Sequence, residues 1–238
     1  PLHLHSTPMM ETMRQNEVVN IDSAAHTHIK FCGMTRMDDV RIAQRLGVDA
    51  IGMIFAPKSP RCINLSHALR LREGLSVELP MPRIVALVVD ADAALLADLA
   101  STLKPDLIQF HGSESAQDCE LSEVAYLRAV PMHGMTNLAT WLSAYPHAAG
   151  FVFDSHAPGG SGGSGQVFDW NQLPQDRRKV WLAGGLSPDN VGEAVRRVRP
   201  YAVDVSSGIE SAPGIKCAEK MQRFVEEVRR ADVATRSQ

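Results

Sequence analysis

The sequence predicts a (β/α)8, or TIM, barrel forming a single α/β domain, and three observations carry that prediction. From Thr27 onward, short and nearly continuous apolar runs alternate with longer amphipathic ones. Continuous rather than alternating hydrophobicity is what strands buried on both faces require. Eight such pairs fit into about 200 residues, the size of one barrel. Polar or glycine-bearing clusters also follow nearly every strand, as they do when the loops at one end of a barrel build a site. A doubly wound open sheet is the alternative on pattern alone. It would gather those clusters at one switch point, and the first strand–helix turn here carries no Gly-x-Gly-x-x-Gly.

In chain order, strands are expected at residues 29–31, 50–55, 84–89, 107–110, 127–130, 150–153, 180–183 and 202–205. Helical segments fall between them. Leu96, Leu99, Ala100 and Leu103 make one stripe at i, i+3, i+4, i+7. Cys217, Met221, Phe224, Val225 and Val228 repeat that spacing in the last helix, which makes Cys217 a core residue, and Cys119 takes the same reading in the fourth. Ser66 stands before one helical run, and Ser187-Pro188-Asp189-Asn190 opens the run that starts at Val191. Residues 1–26 are polar and aperiodic and are expected to be a flexible extension. The barrel is expected to span residues 27–230, with a loose tail at 231–238.

Composition excludes several classes of function. With 238 residues and a formal net charge of -3, the chain has no electrostatic footprint for nucleic acid or an anionic membrane. Its longest apolar runs, such as Ile84 to Val89, are strand-sized and cannot cross a bilayer, and no signal-peptide pattern is present. Cys32, Cys62, Cys119 and Cys217 are scattered without a Cys-x-x-Cys pair, which points to reduced thiols and the cytoplasm. His3, His5, His26 and His28 tempt a metal reading. His3 and His5 lie deep in the extension and no carboxylate or cysteine joins the four at ligand spacing, so no metal is expected.

Chemistry is suggested first by Cys32, one position beyond the first strand and directly before Gly33. A thiol at the mouth of a strand–helix turn can be reached by a ligand. Asp154 ends the sixth strand in the same way, and the two suggest an acid–base pair facing one substrate. Gly184 and Gly185 follow the seventh strand, and Ser207 and Gly208 follow the eighth. These are the turns with which barrels often hold a phosphate through backbone N–H groups, and Ser207 can add a hydroxyl. Plain tight turns are the alternative; two such turns on neighbouring units favour phosphate. The glycine-rich stretch that includes Gly163, Ser164 and Gly165 is too pliant for a rigid cradle and suits a lid, with a simple linker as the alternative. Arg61, on the Pro-stiffened loop after the second strand, can grip a planar carboxylate with two prongs, unless it merely faces solvent.

Six motifs in order give the chain a specific resemblance. Lys30-Phe31-Cys32-Gly33-Met34-Thr35, Lys58-Ser59-Pro60-Arg61, Gln109-Phe110-His111-Gly112, the run from Gly162 to Trp170, Ala183-Gly184-Gly185-Leu186, and Val203 to Glu210 resemble those of the phosphoribosylanthranilate isomerase family of tryptophan biosynthesis. The resemblance covers essentially the whole domain, from about Ile29 to Val228, and leaves out the N-terminal extension. Ser164 stands where the family has Thr, Phe31 and Phe110 replace aliphatic residues, and an extra Gly-Gly-Ser stretch precedes the glycine loop.

The resemblance implies an Amadori rearrangement of N-(5-phosphoribosyl)anthranilate to 1-(2-carboxyphenylamino)-1-deoxyribulose 5-phosphate. Residue by residue, it makes Cys32 the general base, Asp154 the general acid and Arg61 the anchor of the anthranilate carboxylate. Gly184, Gly185, Ser207 and Gly208 take the phosphate, and Gly163, Ser164 and Gly165 close over it. No metal or organic cofactor is implied, because the substrate's own iminium is the electron sink. The expected partner is a small-molecule phosphosugar, with no nucleic acid or membrane; the chain is expected to be a monomer, a homodimer being the alternative. His111 and Asp204 receive no catalytic role. Two other readings compete. The histidine-pathway isomerase uses Asp at the position of Cys32 and shows internal half-barrel repeats, which are not visible here. A non-catalytic sugar-phosphate binder would have no use for both members of an acid–base pair.

Overall fold

The computed structural model of the chain describes residues 26–155 and 168–236. Eight parallel strands close into a barrel in sequence order: β1 (His28–Phe31), β2 (Ala50–Ile54), β3 (Arg83–Val88), β4 (Leu107–Phe110), β5 (Tyr126–Pro131), β6 (Gly150–Asp154), β7 (Val180–Leu182) and β8 (Ala202–Val205). Every expected strand is present, with ends that differ by about one residue. Helices α1 (Met37–Arg45), α2 (Leu65–Glu73), α3 (Ala93–Asp98), α4 (Ala116–Glu120), α5 (Leu138–Ser143), α6 (Val191–Val198) and α7 (Ala218–Arg236) run outside the barrel. Between β6 and β7 the described residues hold only a 3-10 turn, Trp170–Gln172. After β8 a short hairpin, β9 (Glu210–Ala212) with β10 (Ile215–Lys216), precedes the last helix. No helix among the described residues is long and apolar enough to cross a membrane.

The strand period of two sorts side chains between two compartments. Ile29 and Phe31 of β1 face the helical layer, where Phe31 meets Phe224 of α7 edge-on at 6.0 Å. Facing inward, Ala50, Val85, Leu107, Leu127, Val152 and Trp181 fill one end of the barrel with an apolar plug. Toward the C-terminal ends of the strands the interior turns polar, with Lys30, Gln109 and Asp204 all buried. That change from apolar plug to polar floor puts the site at the end where the loops follow the strands.

Local details correct three expectations. Helix α2 begins at Leu65 and is capped by Asn64, whose side chain accepts from the His67 N–H; Ser66 lies inside the first turn. Cys217 precedes α7 rather than joining its buried stripe, and its thiol donates to Glu219 at 3.0 Å, whereas Cys119 is fully buried as expected. The loose tail at 231–238 is instead helix through Arg236. Ala231 is fully buried, and the Asp232 carboxylate accepts from the Thr27 N–H at 3.0 Å and the Thr27 hydroxyl at 2.6 Å. These bonds fasten the beginning of the barrel to its last helix. The extension at residues 1–26 lies outside the described residues except for its last position, His26.

Asp49, just before β2, gathers several bonds at the opposite rim. Its Oδ1 lies 3.0 Å from His28 Nδ1 and 3.4 Å from His26 Nε2, while Oδ2 accepts from the Ile29 N–H at 2.8 Å. A carboxylate therefore does join the two histidines, contrary to the expectation from spacing. Both imidazoles already share Oδ1 and the Arg229 guanidinium stands 3.5 Å from Oδ2, so the cluster is charge-balanced as it is. Burial raises the Asp49 pKa, but the bonds from His28, Ile29 and His26 bring it down to about 2. Because the folded value lies below the ordinary carboxylate value, the stabilisation is complete above about pH 4 and disappears as the pH falls through 2. Asp49→Asn is expected to cost about 1–2 kcal/mol at pH 6 in urea unfolding, and the gap to the parent should close between pH 4 and 2.

Candidate active site

Cys32 leaves β1 with its N–H bonded to the Val205 carbonyl of β8 at 2.8 Å, and its own carbonyl accepts from Lys216 Nζ at 2.6 Å. Gly33 follows at φ +73°, a left-handed conformation open to glycine at little cost, and the Arg61 side chain packs where a Cβ would sit. The turn aims the thiol into a cavity of about 550 Å3 at the C-terminal end of the barrel. Asp154, the last residue of β6, lines the same cavity. β6 is separated from β1 by β7 and β8, which sets the carboxylate across the opening from the thiol. The acid–base candidates thus share one space, as their positions at strand ends suggested.

Burial pushes the Cys32 thiol up, against the pull of the nearby Lys30 and Lys216 ammonium groups; Asp204 adds to the rise. His111 Nε2, one residue beyond β4, stands 3.8 Å from Asp154 Oδ2. Burial holds the His111 pKa below its ordinary value despite the neighbouring Asp154 charge, so a neutral imidazole faces that carboxylate near pH 7. A smaller cavity of about 250 Å3 adjoins this corner, lined by Arg128, Trp141 and Tyr145 as well as His111 and Asp154. Arg128 spans it with cation–π contacts to both aromatic rings, at 5.4 and 5.0 Å, and donates to the Phe110 and Gly112 carbonyls.

Arg61 lies at the cavity as expected, but with a protein partner that the sequence did not reveal. Its Nε and Nη2 meet the two carboxylate oxygens of Glu210 at 2.7 and 2.6 Å in a buried, two-pronged pair. Lys216 joins the same carboxylate at 2.8 Å. Glu210 had a faint signal, since it closes the Ser206-Ser207-Gly208-Ile209-Glu210 run; Lys216 had none. The Glu210 pair occupies the Nε/Nη2 edge of the guanidinium.

The turns after β7 and β8 meet at the other side of the cavity. Gly184 and Gly185 have φ of +80° and +67° and line it together with Ser207. Ser207 opens a 3-10 turn, Ser207–Ile209, in which Gly208 packs directly beneath the Leu186 carbonyl. Asn190 braces the first turn by donating to the Gly185 carbonyl at 2.9 Å and accepting from the Ser187 N–H at 2.8 Å. Gly163, Ser164 and Gly165 lie outside the described residues.

A closed (β/α)8 barrel whose cavity at the C-terminal ends of the strands is lined by a thiol, a carboxylate and glycine turns has the layout of a barrel enzyme. The family model for N-(5'-phosphoribosyl)anthranilate (PRA) isomerase matches residues 29–227, and the chain belongs to that family. The N-(5'-phosphoribosyl)anthranilate isomerase of Xanthomonas campestris pv. campestris (strain 8004) is 48% identical over 217 residues, covering 88% of this chain and 96% of the relative. Among solved structures, phosphoribosyl anthranilate isomerase from Thermus thermophilus superposes with a TM-score of 0.75 at 31% identity, over 86% of this chain and 99% of its own. A phosphoribosyl anthranilate isomerase in complex with reduced 1-(o-carboxyphenylamino)-1-deoxyribulose 5-phosphate does so at 0.71 and 30% identity, over 85% and 98%.

Proposed function

We propose that Cys32 and Asp154 are the base and the acid of the family's reaction in this chain. The reaction is the isomerisation of N-(5-phosphoribosyl)anthranilate to 1-(2-carboxyphenylamino)-1-deoxyribulose 5-phosphate in tryptophan biosynthesis, an aldose–ketose isomerisation. The observation that carries the assignment is the placement of the two residues on opposite walls of one cavity. Asp154 donates a proton to the ribose ring oxygen as the ring opens to the Schiff base. The Cys32 thiolate then removes the proton from C2, and the electron pair moves into the iminium to give an enolamine. Tautomerisation of the enolamine yields the ketone. The iminium adds a positive charge in front of Cys32 when the thiolate is needed, which opposes the upward push of burial.

Binding supplies orientation. The free end of the Arg61 guanidinium takes the anthranilate carboxylate, while Glu210 fixes the other edge. Gly184, Gly185, Ser207 and Gly208 take the phosphate. The substrate brings its own electron sink, so no cofactor takes part. The chain acts as a monomer, a homodimer being the alternative: Val77, Leu79 and Met81 share the loop before β3, while the other exposed large apolar side chains, Leu121, Ile215 and Val233, lie on separate segments. Cys32, Cys62, Cys119 and Cys217 are all free thiols, which fits the cytoplasm.

Loss of phosphoribosylanthranilate fluorescence on addition of the protein tests the activity; an unchanged signal at micromolar enzyme would overturn it. Arg61→Lys keeps the charge that Glu210 needs but loses the fork. It is expected to raise KM about tenfold or more with a smaller change in kcat. An unchanged KM would remove Arg61 as the carboxylate anchor.

A further inference from the structure

We propose that Lys30 is the cation that holds the Cys32 thiolate, with Asp204 as the counter-ion that fixes the ammonium beneath it. The inference rests on Cys32 as general base and adds the residue that lets a buried thiol serve as one.

Lys30 and Cys32 are two positions apart at the end of β1, so both side chains enter the barrel. The Lys30 side chain is fully enclosed, a costly place for an ammonium unless it is paired. Asp204 is its register partner across the β1–β8 pair, and Nζ donates to Asp204 Oδ2 at 2.7 Å. Filling the barrel does not require such a pair, since apolar side chains of similar volume are often as stable or more so. What they lack is a positive charge beside Cys32. Gly52 on β2 provides the room: a Cβ there would lie 2.8 Å from Cys32 Sγ and 3.2 Å from Lys30 Cε. Thiol and lysine stem therefore converge on one space that any side chain at position 52 would occupy.

Other charges face Cys32, and their commitments differ. Lys216 of β10 is bound to Glu210 and to the Cys32 carbonyl, and Arg61 of the loop after β2 is bound to Glu210. Asp154 and His111 stand across the cavity. Burial raises the thiol, Lys30 opposes it most strongly through charge and hydrogen bonding, Asp204 adds to the rise, and Lys216 opposes it less. Burial would also neutralise Lys30, but Asp204 and Cys32 together keep its pKa above the ordinary value. Lys30 thus stays paired with Asp204 in the place where the thiol meets it.

The test reads the thiol directly, by the pH dependence of iodoacetamide alkylation at Cys32. It uses the full chain carrying Cys62→Ser and Cys217→Ser, with Cys119 fully buried, and counts modification at Cys32 by mass spectrometry. Lys30→Met should move the alkylation midpoint up by about one pH unit or more, slowing modification about tenfold at pH 7. Turnover should fall and recover in part at alkaline pH. The double variant Lys30→Met/Asp204→Asn removes both charges and should still shift the midpoint upward, by less than Lys30→Met alone, without an unpaired carboxylate in the barrel. A midpoint that overlays the parent's in either folded variant overturns the proposal, as does failure of both variants to fold, which would make the pair a structural one. The base assignment fails separately: Cys32→Ala with near-normal turnover removes it, whatever the alkylation profile shows.

Discussion

Asp154→Asn is expected to lower kcat about a thousandfold while the circular dichroism spectrum and melting temperature stay close to those of the parent. Ring opening turns the ribose ring oxygen into a leaving group, and without a proton it would depart as an alkoxide. A positioned general acid is worth about 10²–10⁴ in rate, and asparagine keeps the shape of Asp154 while lacking a proton of useful acidity. Stability should hold because Asp154 lies at the loop end of β6, beyond the apolar plug that holds the barrel closed. The His111 imidazole stands 3.8 Å away, held neutral near pH 7 by burial. A neutral imidazole is a far weaker donor, so the residual rate at pH 7 should be small. Steady-state kinetics over pH 6–9 checks this, and a rate within about tenfold of the parent would remove Asp154 as the acid.

Cys32→Ala should produce a loss of similar size through a different step. The variant can still open the ring, because Asp154 remains, but nothing on the β1 side of the cavity then takes the C2 proton. The two variants should therefore separate in a solvent-exchange experiment. Substrate deuterated at C2 would show no label washout with Cys32→Ala. The parent should transfer the deuteron to Cys32 and exchange it with water. Cys32→Ser should recover almost nothing, since a hydroxyl is far less acidic than a thiol and Lys30 cannot hold it as an alkoxide at neutral pH. Label loss at the parental rate in Cys32→Ala would end the base assignment.

Most of the scaffold could be read from local sequence because each strand is buried on both faces and its apolar run is uninterrupted. The Ile84 to Val89 run shows this best: β3 occupies Arg83–Val88, one residue away. The misreadings came from interactions that no local window contains. Residues 231–236 hold little bulk, so they read as a tail, but Asp232 bonds Thr27 across 205 positions and keeps the helix in place. Cys217 matched the helical spacing of Met221 and Phe224, but the helix starts one residue after it. Asp49 reaches His28 only because β1 and β2 are neighbours.

The site divides in the same way. Cys32, Asp154 and the glycine turns announce themselves by standing at strand ends. The charge network beneath them does not, since Lys30–Asp204 and Arg61–Glu210 join residues 174 and 149 positions apart. A lysine in an otherwise apolar strand and an aspartate in another were visible separately. Only the closure of β8 onto β1 makes them a pair.

In the proposed mechanism one sulfur and one carboxyl group work on opposite sides of the same pentose. A crystal structure of this chain with reduced 1-(o-carboxyphenylamino)-1-deoxyribulose 5-phosphate tests it most directly. The proposed mechanism requires Cys32 Sγ within about 3.5 Å of C2 and an Asp154 oxygen within about 3 Å of the C4 oxygen, the former ring atom. A ligand whose C2 faces away from Cys32, or whose C4 oxygen is met by another residue while Asp154 stands apart, would contradict it.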